Sequence, residues 1–178
     1  MTRTRYNFLP DDPCPYIITT TTVNWLPLFG NPAIAQIILD SLNFLIMHQR
    51  IEIFAYVIME NHVHLVACAD DLAKEIGDFK SFTARKSIDY YLQYNVQFAL
   101  EQLATNKLSH KRDREFQFWQ EGSHPQRINS REMMAQKIEY IHNNPVRRGY
   151  TDRAEDWRYS SARDYAGLKG LVPVVIDW

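Results

Sequence analysis

The stretch YVIMENHVHLVA, Tyr56–Ala67, is apolar throughout except for one knot, Glu60-Asn61-His62-Val63-His64. The nine residues 51–59, IEIFAYVIM, read as a buried strand and 62–69, HVHLVACA, as its neighbour. The Glu60-Asn61 pair between them fits a tight hairpin. On a strand, side chains alternate between faces, so His62 and His64 point the same way and Val63 into the opposite layer. Two imidazoles so placed lie roughly 6–7 Å apart at Cβ, near enough to reach one divalent ion. Spacing alone does not decide this, because an HxH pair on a strand is more often two partly exposed histidines than a metal site.

The chain has 178 residues, 46% of them hydrophobic, enough for one sizeable core and a single domain spanning 1–178. Within it, a core over about 15–150 is followed by an aromatic tail over about 151–178. A formal net charge of -1 lacks the overall basicity of many nucleic-acid binders, so any anionic partner must be held by a local patch. Cys14 and Cys68 match no CxxC spacing, which argues against zinc knuckles and disulfide scaffolds and for two reduced thiols. MTRTRYNFLPDDPCP lacks the apolar centre of a signal peptide, and no apolar run approaches a membrane span. A soluble, cytoplasmic protein is expected.

Outward from the hairpin, PYIITTTTV (15–23) is β-branched and reads as the first strand. NPAIAQIILDSLNFLIMHQR (31–50) carries a helical apolar face, with Asn31 as cap and Pro32 in the first turn. Residues 70–95 form a second helical stretch with acidic residues at its start, which Gly77 is able to split. Residues 106–116 are a charged loop, and 116–128 contain a short strand with a break near Gly122–Pro125. SREMMAQKIEYIHNN (130–144) is a helix capped by Ser130, and Pro145 blocks its continuation. The order β-α-β-β-α-β-α predicts an α+β fold, a ferredoxin-like antiparallel sheet with helices packed on one face.

The last helix adds chemistry. Tyr140 and Asn144 are four residues apart and share a helix face. A tyrosine hydroxyl is a competent nucleophile toward a phosphodiester when a metal polarises the phosphate, and an Asn carbonyl one turn later can complete the metal shell. The plain alternative is a tyrosine packing its ring and an Asn-Pro helix terminator.

Taken together, YVIMENHVHLV and YIHNNPVRRGYT followed by DWRYSS resemble the single-tyrosine HUH transposases of insertion sequences, and more narrowly the REP-associated tyrosine transposase branch. The likeness runs from the first strand to about Tyr165, with both motifs in the family's order and separation. The resemblance implies that His62 and His64 are the metal-binding pair, Tyr140 the nucleophile and Asn144 the polar residue that joins the metal shell. Glu60 departs from the family, where proline is common, and this is expected to affect the hairpin more than the metal. EGSHPQRI matches less closely, so Glu121 and His124 receive no role.

The implied reaction is metal-dependent cleavage and rejoining of single-stranded DNA, with Mg²⁺ or Mn²⁺ held by His62, His64 and Asn144. Imidazole is a borderline ligand for magnesium, so manganese is expected to bind better in vitro. Tyr140 would take the 5′ phosphate and leave a 3′ hydroxyl, conserving the bond energy for rejoining. The implied substrate is a short imperfect hairpin. Lys80, Arg85 and Lys86 on the middle helix, with Arg147 and Arg148 after the last, are candidates for phosphate contacts, although a solvated polar face explains them equally well. Tyr90, Tyr91, Trp157 and Tyr159 are candidates for stacking on unpaired bases, at least two of them expected to be core. Both a homodimer and a monomer fit the family. Two rival classes are a binding module that has lost cleavage and a water-activating metal phosphoesterase.

Overall fold

The β-branched and apolar runs around the HxH knot do pair. The computed structural model describes Phe8 and residues 15–178; Cys14 and the rest of the leader lie outside the described residues. Strands β1 (Tyr16–Thr21), β2 (Glu52–Ile58), β3 (His62–Cys68) and β4 (Gln126–Arg127) form one sheet in the order β2-β3-β1-β4. All three pairings are antiparallel. This is the ferredoxin-like order expected for βαββαβ connectivity. The β2–β3 hairpin closes at Glu60-Asn61, where the Met59 N–H donates to the His62 carbonyl at 2.9 Å.

Helix α1 (Pro32–Met47) starts where expected, with the Asn31 side chain accepting from the Ala33 N–H at 3.0 Å. Helix α2 (Leu72–Gln93) is capped by Asp71 and runs unbroken through Gly77. One glycine inside a long helix costs only about 1 kcal/mol, less than the packing of Leu72, Ile76 and Phe79 returns. A further helix, α3 (Gln97–Thr105), fills the stretch between α2 and the charged loop and buries Ala99, Leu100 and Leu103.

The expectation of helices on one face is corrected: both faces are covered. Ile18, Ile53, Ile58, Val63 and Leu65 belong to one core with residues of α1, α2 and α3. Ile17, Phe54, Ala55, Val57 and Val66 belong to a second core with Met134, Ile138 and Ile141 of α4 (Arg131–His142). A strand buried on both faces is apolar at consecutive positions, which is what IEIFAYVIM shows. A register shift between Ile53 and Ala55 puts Phe54 and Ala55 in the same core.

The tail is built into the sheet. Ile58 N–H donates to the Tyr159 carbonyl at 2.9 Å and Ser161 N–H to the Tyr56 carbonyl at 3.0 Å, so residues 159–161 occupy the outer edge of β2. These bonds cover the Tyr56–Ile58 part of that edge. The Trp157 indole N–H donates to the Ile58 carbonyl at 3.0 Å.

Candidate active site

His62 and His64 project from β3 onto the face covered by α4. Their antiparallel partners on β1 are Thr21 and Thr19, respectively, so two hydroxyl residues share that face with the two imidazoles. The rings meet edge to face with centroids 4.6 Å apart. His62 Nδ1 lies 2.6 Å from Asn61 Oδ1, and His64 Nδ1 lies 2.7 Å from Thr19 Oγ1. The Asn61 amide N–H donates in turn to the Trp25 carbonyl at 3.2 Å, which leaves Oδ1 as the acceptor from His62. With Nδ1 so occupied, Nε2 is the His62 atom available to an electrophile. Burial, with the Arg148 charge second, pushes His62 down to about 4. Burial, then His62 and the Arg147 and Arg148 charges, push His64 down to about 3. Both rings are therefore neutral near pH 7, the form that binds metals.

Tyr140 comes from the C-terminal turns of α4. Met134, Ile138 and Ile141 turn into the core, which leaves Tyr140 on the flank, 42% exposed. Its ring meets His64 edge to face at 5.5 Å. The end of α4 is pinned to the sheet through Ser161: His142 Nε2 lies 2.8 Å from its Oγ, which also accepts from the Tyr56 N–H at 2.9 Å. Asn144 does not continue the same helix. Pro145 has no N–H for the Ile141 carbonyl, so α4 stops at His142 and a short helix, α5 (Asn144–Arg147), begins. Pro145 thus starts a new turn as well as ending the old one.

One cleft of about 420 Å³ brings together Thr19, Thr21, Trp25, His62, His64, Tyr140, Asn144, Arg147 and Arg148. Arg147 lies over the Tyr140 ring, 4.4 Å from its centroid, and donates to the Tyr140 carbonyl at 2.9 Å. Arg148 donates to Glu60 Oε1 at 2.7 Å. Glu60 therefore does more than shape the hairpin, as the sequence suggested: it neutralises a cation of the cleft. Among the described residues no three His, Cys, Asp or Glu side chains converge as a metal cage. The uncharged nitrogen and oxygen donors in this cleft of the kind a divalent ion takes are the two imidazoles and the Asn144 amide, which is buried to 9% exposure.

The remaining candidates lie elsewhere. Lys80 and Arg85 line a different groove, between α2 and residues 111–121. The Lys80 ammonium donates to the Gln120 and Gly122 carbonyls at 2.9 and 2.6 Å, and burial pushes it down to about 8. Lys86 lies over the Phe82 ring at 5.8 Å. None of Tyr90, Tyr91, Trp157 and Tyr159 lines the histidine cleft, and Tyr91 is 2% exposed. Burial and Glu52 push the Cys68 thiol up to about 12, which makes it unreactive. Sequence reasoning missed Trp25, Thr19 and Thr21. The alternation of β1 could have given the two threonines, whereas nothing local marks Trp25.

No protein-family model and no curated protein matches the chain. Among solved structures, it is similar to a REP-associated tyrosine transposase bound to a REP hairpin, with a TM-score of 0.67 and 16% identity over 98% of this chain and 92% of that one. A Deinococcus radiodurans protein described as a transposase has a TM-score of 0.46 and 18% identity, over 80% of this chain and 97% of that one, too loose a likeness to carry an argument. At such identity the first likeness is one of fold: this chain shares the fold of that REP-associated tyrosine transposase.

Proposed function

We propose that the protein cleaves and rejoins single-stranded DNA at hairpin-containing sequences through a covalent 5′-phosphotyrosine on Tyr140. The observation that carries this reading is the shared cleft, in which a tyrosine meets the second of two neutral histidines and two arginines lie beside them. The hairpin substrate is inferred from the structural neighbour's ligand together with the sequence resemblance.

His62, His64 and Asn144 are the residues that would hold a divalent ion. When bound, Mg²⁺ or Mn²⁺ supplies Lewis-acid polarisation of the scissile phosphate. Asn61 and Thr19 hold the imidazoles in place through Nδ1, and burial keeps the rings unprotonated and ready to bind. Tyr140 Oη gives up its proton and attacks phosphorus. The P–O3′ bond breaks, the 3′ oxygen takes up a proton, and the 5′ phosphate stays on the tyrosine. Attack by a 3′ hydroxyl reverses each change and rejoins strands with no nucleotide cofactor. Arg147 orients the Tyr140 ring and keeps guanidinium N–H groups free beyond the one given to the Tyr140 carbonyl, enough to bind a phosphate oxygen.

Incubation of labelled single-stranded hairpin DNA from the flanks of the protein's own gene, with Mn²⁺ or EDTA, tests the reading. Cleavage is expected with Mn²⁺ only, and its loss in both Tyr140→Phe and His64→Ala. Cleavage that survives Tyr140→Phe indicates a water-activating phosphoesterase; binding without any cleavage indicates a binding module.

A further inference from the structure

Among the described residues that line the histidine cleft, Trp25 is the one aromatic side chain besides Tyr140 and the two imidazoles, and it is 63% exposed. A large indole left in water at the mouth of a polar cleft contributes little to the core. Its backbone is also unusual. Asn24 and Trp25 have φ of 48° and 53°, a left-handed conformation that a bulky residue rarely adopts.

The turn is held there by several bonds. The Thr22 hydroxyl reaches the Leu26 carbonyl at 2.7 Å and the Asn61 carbonyl at 3.0 Å. The Asn24 amide donates to Asn106 Oδ1 at 2.8 Å. Asn61 donates to the Trp25 carbonyl with its amide and accepts from His62 Nδ1 with its oxygen. One side chain thus fixes both the indole's backbone and a histidine of the candidate metal pair.

We propose that Trp25 is a stacking platform for an unpaired nucleobase next to the phosphate that enters the cleft. This rests on the reading that single-stranded DNA occupies the cleft, and it assigns the base recognition that Tyr90, Tyr91, Trp157 and Tyr159 are not placed to supply there. The cleft holds arginines for the backbone at Arg147 and Arg148, and a nucleotide so bound needs a π-face for its base. A base stacked on Trp25 holds its nucleotide against the face that carries the histidines and so aligns the adjoining phosphate.

The test separates this from the cleavage chemistry by using the Tyr140→Phe protein in EDTA, where no reaction occurs. Two probes of equal length and charge are compared by fluorescence anisotropy: a twelve-residue oligodeoxythymidine and a twelve-residue abasic deoxyribose-phosphate strand. The proposal expects the thymidine strand to bind more tightly, by about tenfold or more. That preference should collapse in Trp25→Ala and survive in Trp25→Phe, with abasic binding unchanged in both. Equal binding of the two strands, or an unchanged preference in Trp25→Ala, overturns the proposal while leaving the tyrosine mechanism standing. Failure of both strands to bind overturns the stacking proposal, whereas the DNA reading, which concerns hairpin-containing strands, stands or falls on the hairpin cleavage assay.

Discussion

His64 and Tyr140 stand edge to face with ring centroids 5.5 Å apart, one on the inner strand β3 and the other on the flank of α4. The contact exists because α4 covers the sheet face onto which the histidines project, and because Ser161 ties the end of α4 to β2.

The Nδ1 partners of the histidines should govern metal affinity. Asn61→Ala and Thr19→Val remove the groups that hold His62 and His64 in orientation. Each is expected to weaken Mn²⁺ binding by about 10- to 100-fold with an unaltered far-UV circular dichroism spectrum. Titration calorimetry that gives wild-type affinity for both would show that the rings need no such support.

Glu60 should restrain DNA binding. Its carboxylate neutralises Arg148 at 2.7 Å in the cleft. Glu60→Gln is expected to raise affinity for single-stranded DNA a few-fold at low salt. The plot of log affinity against log salt should steepen by about 0.7 if Arg148 then takes one more phosphate. An unchanged slope would mean that the pair opens on binding regardless.

Acid should unfold the protein through its buried histidines. His62, His64 and His142 are pushed by burial to about 4, 3 and 4, below the ordinary 6.5. The unfolded chain therefore binds these protons first. Stability is full above about pH 6.5 and falls as the pH drops from there through 4 and toward 3. Urea midpoints measured in EDTA should decline across that window, and less steeply in His142→Gln. A flat profile between pH 6.5 and 4 would contradict the assignment.

Ser161 should matter for both stability and reaction. Its hydroxyl serves His142 Nε2 and the Tyr56 N–H in a fully buried position. Ser161→Ala is expected to cost about 1–3 kcal/mol in urea denaturation and to slow cleavage by loosening α4 over the histidines. Loss of stability with full cleavage rates would mean that Tyr140 is positioned by core packing alone.

Much of this was legible in the chain. Alternation placed His62 and His64 on one face and Val63 on the other, and cap residues Asn31 and Ser130 placed two helix starts. The second helical layer was missed although IEIFAYVIM carried its mark, because a strand apolar on both faces requires two layers to cover it. Other features were beyond local reading. The edge pairing of Tyr159–Ser161 with β2 and the ion pair of Glu60 with Arg148 join residues far apart in sequence, and no periodicity encodes them. The left-handed turn at Trp25 depends on Asn61, Thr22 and Asn106, contacts that exist only once the fold has formed.

The most direct test of the central claim is the chemical identity of the protein–DNA linkage. Wild-type protein is incubated with Mn²⁺ and hairpin-bearing single-stranded DNA, resolved on a denaturing gel, digested and mapped by mass spectrometry. The account predicts a covalent band carrying a 5′-phosphonucleotide on Tyr140, absent in EDTA and in Tyr140→Phe. Strand cleavage with no covalent protein–DNA species, or an adduct mapped to another residue, would contradict it.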